Sequence, residues 1–386
     1  MRILIVKLSS IGDVVHTLPA AAALRRGLPE AHIAWAVERR ARAILEQSPV
    51  IDDLIEVDSR GWRRHWHNRE TLDNISSTLR TLRGSRPGGS SETFDVAVDF
   101  QGLLKSGLLT FASGAHRRIG FETQELRERP SRLFLTEQVE TSHFEHVIDK
   151  NLALAHRVLA DSSQHSQDGS FANQPPPIGG RVPIHKPPNY EFPIAVSSED
   201  EEFADRAVGD GNRPFAIINP GGGWSTKLWE PARFGHIADW LNCEHGMRSI
   251  ITFGPGEEEL AHLTAAASRS GVATPLPSTL KQFVALARRA ELFIGGDTGP
   301  LHLAAACGTP IVGIYGPTAP ARNGPFDSRD IAVGRDLWCR ADCHRRSCWH
   351  WECMEISVGE IETAITRRLA IAPISIETEN PTCTVT

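Results

Sequence analysis

Short β-branched apolar runs recur along the chain. Each is followed by a turn and then by an Ala- and Leu-rich stretch with helical spacing. The first run, 3–6, ends at polar Lys7 and Ser9. The turn SSIGD occupies 9–13, a helix is predicted over 14–26 and ended by Pro29, and 32–37 is the next strand. The unit repeats with a strand at 95–99, a turn at Gln101–Gly102 and a helix over 103–112. Further on, strands are predicted at 215–219, 248–253, 292–294 and 311–315. Helices are predicted at 231–244, 257–268, 279–289 and from 301 to 306. This β-turn-α-β order predicts parallel sheets and an α/β fold class. Two stretches break the rhythm. Residues 84–93 are Gly/Ser-rich and read as a surface loop. Residues 161–189 hold SSQHSQDGS, QPPP and HKPP and read as a linker or disordered insert. Two α/β domains are therefore expected, over 1–160 and 190–355, with a frayed tail at 371–386.

Length and charge sharpen this picture. A chain of 386 residues suits two cores rather than one. Its net charge of −6 excludes a generally basic nucleic-acid binder. No apolar run reaches the ~18–20 residues of a membrane span. MRILIVKLSS reads as a first strand rather than a signal peptide, and seven cysteines without a secretory signal read as reduced cytosolic thiols.

Five segments carry candidate chemistry. Asp13 stands at the carboxyl end of the first strand, where open parallel sheets place ligands. It reads either as a helix-capping acid or as a general base for a hydroxyl. NPGGGWSTK (219–227) offers backbone amides and Lys227 to an anion, without the spacing of a Walker A loop. In GGDTGPLH (295–302), Asp297 or Thr298 can cap a helix whose amides suit a diphosphate, and His302 lies one turn in. RGWRRHWHNR (60–69) is an acid-free basic run that reads either as a local anion site for phosphate or carboxylate or as a solvated helix face; Trp62 and Trp66, at i and i+4, either dock it onto the domain or meet a membrane surface. Cys339, Cys343, Cys348 and Cys353, with His344 and His350 between, lack paired CxxC knuckles. Structural zinc, unliganded thiols and redox chemistry all stay open there. Cys243 and Cys307 lie in apolar helical stretches and read as core.

Taken in order, VKLSSIGDVVHTLPA (6–20), the Trp/Arg run at 60–66, DFQGLLKS (99–106), STKLW (225–229), GGDTGPLHLAAA (295–306) and IYGPT (314–318) resemble the bacterial ADP-heptose:lipopolysaccharide heptosyltransferases of glycosyltransferase family 9. The opening motif is most similar to the heptosyltransferase I branch. The resemblance covers roughly 1–160 and 210–365. It implies a GT-B fold, with two Rossmann-like domains facing across a cleft, acceptor on the first and ADP-sugar on the second. It also implies a helix at 356–370 that returns to the first domain.

Function follows the same resemblance: inverting transfer of L-glycero-D-manno-heptose from ADP-heptose to the Kdo of Kdo-lipid A, with no metal ion or cofactor required. Asp13 matches the catalytic base, and Lys227 the group that meets the leaving ADP. Ser10, Gly12, Thr226, Lys227, Glu257, Asp297, Thr298, Gly299 and His302 match the donor site, with Glu258 as the substitute for Glu257. Arg60, Arg63, Arg64, Lys105 and Arg127 match the acceptor surface. The chain departs from the family at Glu230, where Pro is frequent, and in its Gly-richer 220–223 loop. A monomer is expected, cytoplasmic and in transient contact with the inner face of the cytoplasmic membrane, with no nucleic-acid partner. The alternatives are a sister family 9 enzyme with another donor or acceptor, a GT-B sugar-nucleotide epimerase, and a non-catalytic nucleotide binder.

Overall fold

The computed structural model describes residues 1–65, 67–84, 93–162, 190–209, 213–339, 343, 347–348 and 351–371. Most of the 84–93 loop, most of the 161–189 segment, nearly all of the tail, Trp66, His344 and His350 lie outside the described residues.

Two six-stranded parallel sheets form the frame. The first contains β1 (Arg2–Val6), β2 (His32–Glu38), β3 (Asp53–Val57), β4 (Val96–Asp99), β5 (Arg117–Phe121) and β6 (Glu137–Val139), in the spatial order β3-β2-β1-β4-β5-β6. The second contains β7 (Phe215–Asn219), β8 (Arg248–Phe253), β9 (Ala273–Pro277), β10 (Leu292–Gly296), β11 (Ile311–Tyr315) and β12 (Ile331–Gly334), in the order β12-β11-β10-β7-β8-β9. Counted within each domain, both orders are the doubly wound 3-2-1-4-5-6. The central strands are apolar on both faces because helices cover both. Ile3, Leu4, Ile5 and Val6 are all fully buried, and Leu4 sits in register with Ala34 on one side and Ala97 on the other.

Each sheet reverses its strand order once, between β1 and β4 and between β7 and β10. These reversals open the crevices where such sheets bind ligands. The turns at 9–13, 100–102, 219–227 and 295–299 all leave strands bordering these two crevices.

The predicted helix over 14–26 is two helices, Ile11–Val15 and Leu18–Gly27. Pro19 has no N–H to give Val15, so a new helix starts there, and the Thr17 hydroxyl donates instead to the Asp13 carbonyl. The basic run is also split. Ser59–Arg64 is one helix and Arg69–Leu82 another, so the run is not one continuous helix. Trp62 packs on the first domain's core and donates to Asn74 Oδ1 at 2.8 Å, the docking role.

Two further expectations are corrected. The terminal helix, Val358–Leu369, packs on the helix Pro231–His245 and on β11 and β12 of the second sheet, not on the first domain. Its apolar face, Ile361, Ala364 and Ile365, is spaced to fill that groove, and Arg368 is buried in a pair with Asp330. Cys243 is exposed, on the outer face of Pro231–His245, while Cys307 is half-buried against the core. Burial pushes the Cys307 thiol up to about 12.

Candidate active site

The helix Ile11–Val15 of the first domain lies directly on the helix Gly299–Ala306 of the second. Two glycines make this approach possible. A Cβ added at Gly12 would stand 2.4 Å from His302 Cδ2, and one at Gly299 would stand 2.6 Å from Ile11 Cγ2. Thus the backbone at Gly12 is approached closely, but by His302 rather than by open cleft. The two crevices are brought face to face here.

Asp13 caps its helix with one oxygen and keeps the other for different partners. Its Oδ2 accepts from the Ser10 N–H (2.9 Å) and hydroxyl (3.2 Å), capping the helix. Its Oδ1 faces Arg127, whose guanidinium donates at 2.9 Å, and Lys7, whose Nζ stands 3.9 Å away. Burial alone would raise the carboxyl. Lys7, Arg127 and the Ser10 amide outweigh it and hold Asp13 well below the usual carboxylate range. Lys7 is buried at the end of β1 with Nζ 2.6 Å from the Phe100 carbonyl, and burial lowers its ammonium to about 8.

Across the boundary, the partly buried Lys227 pairs with the buried Asp297. Lys227 Nζ donates to Asp297 Oδ2 at 2.6 Å and to the Asp297 carbonyl at 2.8 Å, and lies 4.6 Å from the centre of the Trp224 ring. The other Asp297 oxygen accepts from Asn323 Nδ2 (2.9 Å) and faces His302 Nε2 (3.1 Å). Burial works against this carboxylate too, but His302 and Lys227 hold it far below its ordinary value. With both oxygens engaged, Asp297 orients Lys227 and His302 rather than offering lone pairs of its own. His302 is itself buried, its ring 4.4 Å from that of His16.

Thr298 caps the helix Gly299–Ala306 with extended backbone, yet its buried hydroxyl has no partner. An N-cap threonine ordinarily accepts from an amide of the first turn. Here hydroxyl and amides together suit an anion. Thr226 is buried in the turn that carries Lys227. Glu257 lies against the glycine loop after β7: its Oε2 accepts from the Gly254 N–H at 3.0 Å, and a Cβ at Gly221 would meet its Oε1 at 2.3 Å. Glu258 is exposed in the next helix, so Glu257 is the carboxylate at the site.

Of the residues expected at an acceptor surface, Arg60, Arg63 and Arg64 are exposed and make no ion pair with any described residue. Lys105 donates to Glu38 (2.7 Å) and Ser59 (3.2 Å), at the base of the helix that carries those arginines. The four cysteines are half-buried and none is in a disulfide; among the described residues no three His, Cys, Asp or Glu side chains are grouped to hold a metal. A cavity of about 620 Å³ is lined by residues between Arg42 and Leu54 and by Ser197, Asp200 and Lys281. It opens at the start of β3, away from the carboxyl ends, and holds none of these groups. Lys7, Trp224 and Asn323 are site residues that the sequence did not single out. Only Lys7 left a signal, as a cation ending an otherwise apolar strand.

Comparison with known proteins completes the picture. The glycosyltransferase family 9 (heptosyltransferase) model matches residues 90–350. The chain is 28% identical to lipopolysaccharide heptosyltransferase 1 of Pseudomonas aeruginosa, over 90% of this chain and 87% of that protein. It is 26% identical to lipopolysaccharide heptosyltransferase 1 of Escherichia coli K12, over 88% and 94%. The solved E. coli heptosyltransferase WaaC with ADP superposes with a TM-score of 0.71 at 23% identity, covering 95% of this chain and all of that one (100%), which makes the two facing sheets a GT-B fold. With two thirds of its length matched by the family model, the chain belongs to glycosyltransferase family 9, the heptosyltransferases.

Proposed function

We propose that this enzyme transfers L-glycero-D-manno-heptose from ADP-heptose to the Kdo of Kdo-lipid A, with inversion and with Asp13 as the general base. The observation that carries the reading is the juxtaposition, across one cleft, of an ionised and partly accessible carboxylate and an anion site built from Lys227, Thr298 and the amides at Thr298 and Gly299.

The acceptor hydroxyl gives its proton to Asp13 Oδ1 as its oxygen bonds to the anomeric carbon. The bond from that carbon to the diphosphate breaks, and the electron pair leaves with ADP. A single displacement from the opposite face inverts the centre. Lys227, the Thr298 hydroxyl and the helix amides meet the charge that grows on the diphosphate. Glu257 is placed for the ribose hydroxyls, beside the glycine loop. For the acceptor to reach Oδ1, Arg127 has to yield. Its side chain is 40% exposed, and an anionic acceptor offers it another partner.

Arg60, Arg63 and Arg64 extend this surface toward acceptor phosphates and anionic lipid head groups, each basic residue adding about 1 kcal/mol near such a surface. No helix among the described residues is long and apolar enough to cross a membrane, so a peripheral enzyme on the cytoplasmic face fits the reading. The deciding test offers ADP-heptose with Kdo-lipid A and with heptosylated cores. Transfer to Kdo-lipid A with an inverted linkage is expected. Transfer to a heptosylated core alone overturns the acceptor assignment.

A further inference from the structure

Beside Asp13 lies a second, much smaller cavity of about 50 Å³, and its lining is unusual. Lys7, Arg127 and Lys150 of the first domain face it, and so does Arg322 of the second. Three of these cations have partners. Lys7 is bonded to the Phe100 carbonyl, Arg127 to Asp13, and Lys150 to Glu125, which also lines the cavity. The Arg322 side chain is exposed and bonds to no described residue. Against the four cations stand Asp13, Glu125 and the buried Asp99, whose oxygens are taken by the Gln101 and Gly102 amides and the Ser106 hydroxyl. A surplus of positive charge remains. The volume exceeds one water's share of the liquid, about 30 Å³, but admits no sugar ring. It suits one small anionic group on a larger molecule.

We infer that this cavity is the subsite for the acceptor's carboxylate, closed by Arg322 from the donor domain. The inference rests on the proposed acceptor, a sugar acid that carries its carboxylate and its reacting hydroxyl on one ring. With the carboxylate among Lys7, Lys150 and Arg322, a hydroxyl of the same ring is held at Asp13, since Lys7 borders both. Arg322 also ties the subsite to the donor site. It lies on the short helix Pro320–Asn323, and the next residue, Asn323, bonds to Asp297. An acceptor that engages Arg322 therefore holds the two domains together over the Lys227–Asp297 pair.

The test pairs a protein change with an acceptor change. Acceptor KM, kcat and ADP affinity are measured for the wild-type enzyme and Arg322→Gln, with Kdo-lipid A and with the same acceptor amidated at its carboxyl. For the native acceptor, Arg322→Gln is expected to raise KM about tenfold, the scale of one charged hydrogen bond, with kcat and ADP affinity changed less than about twofold. Amidation should raise the wild-type KM at least as much, and on the amide the two proteins should converge. Equal KM increases on both acceptors, or a parallel loss of ADP affinity, would overturn the subsite; the second result would give Arg322 to the donor diphosphate. If the wild-type enzyme transfers nothing to Kdo-lipid A, the proposed function fails. The subsite is then judged by binding of free Kdo, where equal affinity for wild type and Arg322→Gln sinks it and tighter wild-type binding upholds it.

Discussion

Asp13 and Asp297 are the same residue type, each just past a strand that borders its sheet's crevice, and both are held ionised far below the ordinary carboxylate range. They differ in what surrounds them. The Asp13 side chain is 16% exposed, and one oxygen rests on an arginine that is itself 40% exposed. The Asp297 side chain is 2% exposed, with both oxygens bound by Lys227, Asn323 and His302. A low proton affinity therefore does not mark a base. Access, and a partner able to leave, suits Asp13 to accept a proton, while enclosure suits Asp297 to hold other groups in place.

The contrast is best broken by neutralising each carboxylate. Asp13→Asn should lower heptose transfer about 10²- to 10⁴-fold, the range of a general base. ADP affinity measured by calorimetry should stay nearly unchanged, because no donor group depends on Oδ1. If turnover survives near the wild-type rate, the base is another group. Asp297→Ala should act first on the fold. Removing one partner of a buried pair costs about 3–5 kcal/mol, readable by denaturant titration, with ADP binding weakened as Lys227 loses its anchor. The pH dependence has a definite sign. The folded-state pKa lies below the ordinary 3.8, so the stabilisation is present above about pH 4 and is lost as pH falls through 3.8 toward the folded value. Asp297→Asn should flatten that acid limb, and an unchanged limb would assign the slope elsewhere.

Smaller effects probe what brings the two aspartates together. Gly12→Ala places a methyl against the buried His302 ring and should cost about 1–3 kcal/mol by overpacking. It should raise the KM for both substrates, whereas an effect on one alone would mean the contact is local to that site. The smallest expected effect comes from Lys7, which loses its proton near pH 8 amid Asp13, Asp99, Arg127 and Arg322. Below that pH it attracts an anionic acceptor, and above it it is neutral. Acceptor kcat/KM should fall a few-fold as pH passes through about 8, and Lys7→Arg should move that limb out of range.

Much of this site was legible locally. The turns that matter are glycine- or acid-bearing segments placed directly after apolar strands, and a sheet strand with a ligand turn leaves that trace wherever it occurs. Spacing could not choose between Asp13's two readings, because one oxygen caps the helix while the other is turned to Arg127 and Lys7. Helix joints were less legible. Pro19 is a visible break, yet the Ala-rich run on both sides masks it. The destination of Val358–Leu369 was misplaced because an amphipathic face states what it must bury and not against which sheet.

The sequence alone determined the alternation of strand and helix, the parallel sheets and the chemical character of each turn, since these follow from local periodicity and residue type. Tertiary structure decided the partnerships: Arg127 with Asp13 across 114 residues, Lys227 with Asp297 across 70, and Arg322 against a cavity of the other domain. Those depend on strand order and on two glycines that let the domains touch. Such contacts come from packing between distant segments, which no local pattern encodes.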